Sequence, residues 1–163
     1  MKVISVVNQK GGTGKTTTTL NLGASLAKAG MNVLLIDLDA QGNLSFSVGI
    51  DEDQSGMAKV IAGEVSIKDI IIKKEDFCLA PANRELADME LNLLQYEDRT
   101  QVINNLLSEL KGFDFILIDC APSLSILTIA ALVASDYVLV PMQFEVLSLQ
   151  GLKMIVKTVE DIK

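Results

Sequence analysis

The segment Lys10-Gly11-Gly12-Thr13-Gly14-Lys15-Thr16-Thr17 concentrates the residue types that hold a chain of phosphates. Gly11, Gly12 and Gly14 let the backbone curl until successive N–H groups converge on phosphate oxygens, and a helix starting there adds partial positive charge. Lys15 has the reach for β- and γ-phosphates, the Thr16 hydroxyl suits Mg2+, and Thr17 can bond the α-phosphate. The strict phosphate-loop pattern asks for glycine where Gln9 stands, and Lys10 follows it. A dinucleotide-type G-x-G-x-x-G is absent, because Gly12-Thr13-Gly14 is followed three positions on by Thr17. The loop has no aromatic residue, so it offers no platform for stacking a base.

Three acids supply the complementary chemistry. Asp37 and Asp39 follow the apolar run Val33-Leu34-Leu35-Ile36, and Asp119 closes the run Phe113 to Asp119. Acids that end wholly apolar strands collect at the carboxyl edge of a parallel sheet, where ligands of open α/β folds bind. A carboxylate there either holds Mg2+ through its waters or positions a water for in-line attack. With no histidine in the chain, any chemistry falls to carboxylates, lysine, hydroxyls and backbone groups.

The elements that must position these groups are legible in the periodicity. Lys2 to Asn8 is a β-branched strand leading into the loop, and Thr16 to Ala29 is a helix with Leu20, Leu22, Leu26 and Ala27, closed by Gly30. Further strands are expected at Asn32 to Asp37, Phe77 to Ala80, Phe113 to Asp119 and Tyr137 to Met142. Helices are expected at Met57 to Ala62, Arg84 to Leu94 (core-facing Leu86, Met89, Leu93 and Leu94), Arg99 to Leu110 and Leu124 to Ala134. A final amphipathic helix, Leu149 to Lys163, carries Leu152, Ile155, Val156, Val159 and Ile162 on one stripe. Ala40 to Gly56 lacks periodicity and reads as an irregular loop. Strands alternating with helices specify an α/β fold, a mostly parallel sheet with helices on both faces. No repeat or linker divides the chain, so residues 1–163 read as a single domain. The sequence stops directly after a helix, which reads as truncation at the C-terminus.

Composition narrows the classes. The chain has 163 residues, 49% hydrophobic and 21% charged, enough to bury a core without disulfides. Cys78 and Cys120 lack metal-ligand spacing and read as small buried hydrophobes in a reducing compartment. The apolar stretch Ile126 to Ala134 is far shorter than the ~18 residues of a membrane span, and the N-terminus is no signal peptide. A cytoplasmic location is expected. The net charge of −7 opposes nucleic-acid binding by this segment alone.

The K-G-G-x-G-K-T form beginning at Lys10 resembles the ParA/MinD family of deviant P-loop ATPases. Asp37-Leu38-Asp39-Ala40-Gln41-Gly42-Asn43 is similar to the D-x-D-P-Q-G-N segment of ParA-type (Soj-like) partition proteins, with Ala40 in place of proline. Phe77 to Asn83 followed by Glu85-Leu86-Ala87, the segment Asp119-Cys120-Ala121-Pro122-Ser123, and Pro141 to Glu145 with Leu149 to Leu152 extend the likeness along nearly the whole chain. The resemblance implies a P-loop NTPase fold with ATP and Mg2+ as cofactors. It implies Gly11, Gly12, Thr13, Gly14, Lys15, Thr16 and Thr17 around the nucleotide, and Thr16 with Asp119 (through water) on the metal. Lys15 would contact the phosphates, Asp39 the attacking water, and Lys10 the ATP of the partner in a sandwich homodimer; these three form the implied catalytic set. Asp37 would support the switch geometry.

The partners implied are a second copy of the chain when ATP is bound, a centromere-binding ParB-like protein that stimulates slow hydrolysis, and DNA held nonspecifically by a region absent here. Two other functions share these motifs. A MinD-like division-site positioning ATPase needs a Lys/Arg-rich membrane-targeting helix, whereas the final helix has Lys153, Lys157 and Lys163 beside two acids. A ligase resembling dethiobiotin synthetase needs its own substrate pocket, which no segment suggests. A nitrogenase-reductase-like carrier is disfavoured because Cys78 and Cys120 lie on different strands.

Overall fold

Two strands anchor the sheet. β2 (Val33–Leu38) is buried at every position, and β5 (Phe115–Cys120) is buried from Ile116 onward. Such continuous apolar runs belong to parallel strands covered on both faces. With β1 (Lys2–Val6), β3 (Ile72–Lys73), β4 (Cys78–Ala80) and β6 (Tyr137–Leu139) they form one six-stranded sheet in the order β3-β4-β2-β5-β1-β6. All pairs are parallel except β3 with β4. This architecture, in a computed structural model describing residues 1–51, 54–143 and 146–162, is the mostly parallel α/β fold expected from the sequence.

Alternation along the strands divides the core in two. Val33, Leu35 and Leu117 face α1 (Lys15–Lys28), where Leu20, Leu22 and Leu26 pack on them. Leu34, Ile36, Ile116 and Ile118 point to the other face. That face is covered by α5 (Glu85–Leu93), α6 (Val102–Ser108) and α7 (Ile126–Val133), through Leu86, Leu93, Ile103, Leu107 and Leu127. Burying both faces of a sheet this way is the main stabilising term, at roughly 25 cal/mol per Å2 of apolar surface.

Several expectations need correction. The segment Ala40 to Gly56 is not wholly irregular, since Asn43–Ser47 forms a short helix, α2. Its five residues are fixed by the bond from the Ser45 N–H to the buried Asp37 and by the burial of Leu44 in the core. α3 (Met57–Ile61) is found as expected, but α4 (Ile67–Ile70) and the antiparallel β3 were not. A capping box between Ser66 and Asp69 starts α4, a signal present in the sequence. Leu94 is exposed, because it caps α5 beyond the last turn that touches the sheet. The expected helix Arg99 to Leu110 begins as a 3-10 turn, Arg99–Gln101.

The last helix, α8 (Val146–Ile162), starts before Leu149. Its packed stripe is Ile155, Val159 and Ile162, Leu152 is half-buried, and Val156 turns to solvent. Phe144 and Glu145 of the motif at Pro141, Lys163 of the final helix, and Glu52 and Asp53 of the Ala40 to Gly56 segment lie outside the described residues. Cys120 is buried and Cys78 half-buried, both as free thiols. Among the described residues no helix is long and apolar enough to cross a membrane.

Candidate functional site

β1 lies between β5 and β6, and the loop that leaves its carboxyl end rises beside the end of β5. Gly12 (φ 74°) and Gly14 (φ 87°) adopt the left-handed conformation that side chains resist; Gly11 does not. Gly14 is the N-cap of α1 and provides no side-chain cap, so the first N–H groups of the helix stay open to an anion. Asn8, which the sequence reading missed, holds the loop's start: its Oδ1 accepts the Lys10 N–H at 3.0 Å, and its Nδ2 donates to the Pro141 carbonyl at 2.7 Å.

A cleft of about 410 Å3 opens over this loop. Gly11, Gly12, Gly14, Lys15, Thr16 and Thr17 form one wall, and Asp39, Gln41, Asn43, Ser47 and Pro122 the other. Lys10 and Thr13 lie outside this lining; the Thr13 hydroxyl donates to the Lys10 carbonyl at 3.3 Å and steadies the turn between them. Lys15 is 8% exposed, so its ammonium is largely withdrawn from water.

The acids converge as their strand positions require. Asp37 and Asp119 are register partners across β2 and β5. The Thr16 hydroxyl donates to Asp119 Oδ2 at 2.7 Å, joining the end of the loop to the end of β5. A second hydroxyl, that of Thr19, lies 3.3 Å from Asp119 Oδ1 and 3.0 Å from the Lys15 carbonyl. Burial pushes the Asp119 carboxyl up to about 7, the Thr16 hydrogen bond works against this, and the charge of Asp37 adds to it.

Asp37 is spent on structure. Its Oδ2 accepts both the backbone N–H and the hydroxyl of Ser45, at 2.9 and 2.8 Å, and its Oδ1 accepts the Asp39 N–H at 3.2 Å. Burial raises this carboxyl to about 6 despite the Ser45 bonds. Ser45 in turn accepts the Ala82 N–H at 3.2 Å, tying α2 to the segment after β4. Asp39 remains half-buried on the cleft wall, its Oδ1 accepting the Gln41 N–H at 3.0 Å. Ser45 and Thr19 had no signal in the sequence beyond being small hydroxyls near the motifs.

The donor set suits a polyphosphate with a hydrated divalent cation. Open N–H groups and Lys15 face oxyanions, while Thr16 retains lone pairs for a cation after donating its proton to Asp119. No cluster of three or more acids, cysteines or histidines that would cage a metal exists among the described residues.

Comparisons with known proteins agree. The family described as AAA domain matches residues 1–163. The chain is 39% identical over 170 residues to the chromosome partitioning protein ParA of Caulobacter vibrioides, covering 100% of this chain and 64% of that one. It is 41% identical over 163 residues to the sporulation initiation inhibitor protein Soj of Bacillus subtilis, covering 97% and 64%. The chain thus spans about 64% of the length of these relatives. A solved structure of cobyrinic acid a,c-diamide synthase from Mycobacterium smegmatis, with an ATP analogue and magnesium, superimposes at TM-score 0.94 with 40% identity, over 99% of this chain and 68% of that one. The chain therefore belongs to the family described as AAA domain, matched along its whole length, and within it is a ParA/MinD-type P-loop ATPase domain similar to the ParA and Soj partition proteins.

Proposed function

We propose that this chain is the nucleotide-binding part of an ATP-driven assembly switch serving chromosome or plasmid partitioning. The observation that carries the reading is the 2.7 Å bond from Thr16 to Asp119, which joins the loop to the buried strand end beside an open cleft. ATP lies with its phosphates against the loop N–H groups and Lys15. Mg2+, held by Thr16 and through water by Asp119, supplies charge neutralisation at the phosphate oxygens. Thr16 offers a lone pair outward while its O–H points to Asp119. Asp39, on the opposite wall, orients the attacking water. Lys10 reaches the nucleotide of a second copy, so ATP favours a sandwich homodimer and slow hydrolysis releases it.

A ParB-like, centromere-binding protein accelerates that hydrolysis. Nonspecific DNA binding falls to residues beyond this chain, and the protein works in the cytoplasm, on the nucleoid when DNA is bound. Similarity to partition proteins supports these roles. The basic residues of α8 are Lys153 and Lys157, set beside Glu160 and Asp161, and its Ile155 is buried against the core, which favours the partition role over the MinD-like one.

The test is mass by light scattering with and without Mg-ATP, using Asp39→Ala to slow turnover. Doubling with ATP that Lys15→Ala and Lys10→Ala both abolish is the expected result. Unchanged mass despite ATP binding rejects the dimer switch. The name of the Mycobacterium smegmatis structure favours one second reading, a biosynthetic ligase. ATP turnover that appears only with a carboxylate substrate would establish that function instead.

A further inference from the structure

Thr19 sits one helical turn beyond Lys15 and is fully buried, and Gly23 follows a turn later on the same buried face of α1. The lack of a side chain at Gly23 is what lets α1 lie so close to the sheet. A Cβ there would come within 2.5 Å of Leu35 Cδ2 and 3.2 Å of Leu117 Cδ1. Leu117 lies two residues before Asp119, so this close seating brings Thr19 level with the end of β5.

We propose that Thr19 is a positioning residue for magnesium: its hydroxyl holds the second oxygen of Asp119 and so fixes the plane in which the carboxylate meets Thr16. A carboxylate held at one oxygen swings about its last bond, whereas one held at both has a single orientation. Thr16 holds Oδ2 at 2.7 Å and Thr19 approaches Oδ1 at 3.3 Å, from successive turns of one helix. A threonine hydroxyl inside a helix ordinarily donates to the carbonyl four residues back, and Thr19 has that option at 3.0 Å in Lys15. It has one proton and two acceptors. Once ionised, the carboxylate is the stronger acceptor, since hydrogen bonds to charged groups are roughly twice as strong as neutral ones. Thr19 lies outside the lining of the cleft, so it acts through Asp119.

This inference rests on the ATP and Mg2+ reading above, and the experiment separates the two. N-methylanthraniloyl-ATP fluorescence is titrated with MgCl2, and separately in EDTA, for the full-length protein and its Thr19→Val, Thr19→Ser and Thr19→Ala forms. Thr19→Val, nearly identical in shape, is expected to raise the half-saturating Mg2+ concentration about tenfold, the lower end for losing a group that orients a metal ligand. Its affinity in EDTA stays within about twofold of the parent. Thr19→Ser, which keeps the hydroxyl, behaves like the parent. If Thr19→Val does not fold, Thr19→Ala carries the same expectation. An unchanged Mg2+ requirement in the hydroxyl-free forms overturns the inference, as does equal weakening in EDTA. A parent protein that binds the nucleotide without any Mg2+ dependence, or not at all, overturns the ATP and Mg2+ reading itself.

Discussion

Asp37 and Asp119 stand opposite each other at the ends of β2 and β5, yet their carboxylates answer to different elements. Asp37 is bonded to Ser45 and the Asp39 N–H, Asp119 to Thr16 and Thr19 on α1. Neighbouring buried acids repel, and the fold resolves this by giving each its own donors. One acid tethers the loop that carries Asp39; the other serves the phosphate side.

Stability should depend on pH through this pair. Burial raises Asp37 to about 6 and Asp119 to about 7, from an ordinary value of 3.8. The folded state keeps protons that the unfolded chain has already released, so this stabilisation is complete below about pH 4 and is lost as pH rises through 6 and 7. Each pH unit of such a difference contributes about 1.4 kcal/mol. The urea midpoint of the nucleotide-free protein is expected to fall from about pH 5 to about pH 8, and Asp37→Asn to fall less steeply. Parallel slopes for parent and variant would show that Asp37 takes no part.

Ser45→Ala should cost about 1 to 3 kcal/mol, because it strips a donor from the buried Asp37 and removes the hydroxyl that accepts the Ala82 N–H. Turnover should slow as well, since the loop bearing Asp39 loses its tie to the end of β4. Urea unfolding and steady-state phosphate release measure the two effects. A stability loss below about 0.5 kcal/mol would mean that this chain of bonds adds no net stability.

Two glycines should respond differently to alanine. At Gly56 a Cβ meets backbone, with the Pro81 carbonyl oxygen at 2.8 Å and the Ala82 carbonyl carbon at 3.1 Å, and neither can swing aside. Gly56→Ala is expected to lose about 1 to 3 kcal/mol by overpacking. At Gly23 the obstacles are leucine methyl groups, which can change rotamer, and alanine in a helix recovers about 1 kcal/mol. Thermal melts should rank Gly56→Ala below Gly23→Ala; the reverse order would contradict this account.

What the sequence disclosed were features whose cause is local. The glycines and Lys15 declare the loop, and apolar runs closed by Asp37 and Asp119 declare the strands. Thr19, Ser45 and Asn8 stayed hidden because their partners lie far along the chain: Asp119 is 100 residues from Thr19, Ala82 is 37 from Ser45, and Pro141 is 133 from Asn8. Helical periodicity placed Leu94 and Val156 inward, but a stripe says nothing about where the neighbouring element ends. α2 escaped notice because one buried leucine, Leu44, and a bond to the buried acid Asp37 hold it, and neither makes a periodic stripe.

The place of β1 in the sheet has a consequence for biosynthesis. Its hydrogen-bonded neighbours, β5 and β6, pair with it through residues 115–119 and 137–139, so the phosphate loop emerges from the ribosome long before any strand exists to support it. Asp119 is synthesised 103 residues after Thr16, and the two cannot meet before then. Pairings this distant in sequence form slowly. The nascent protein therefore passes through a period with a complete phosphate-loop sequence and no phosphate site, and nucleotide added then would find nothing to bind.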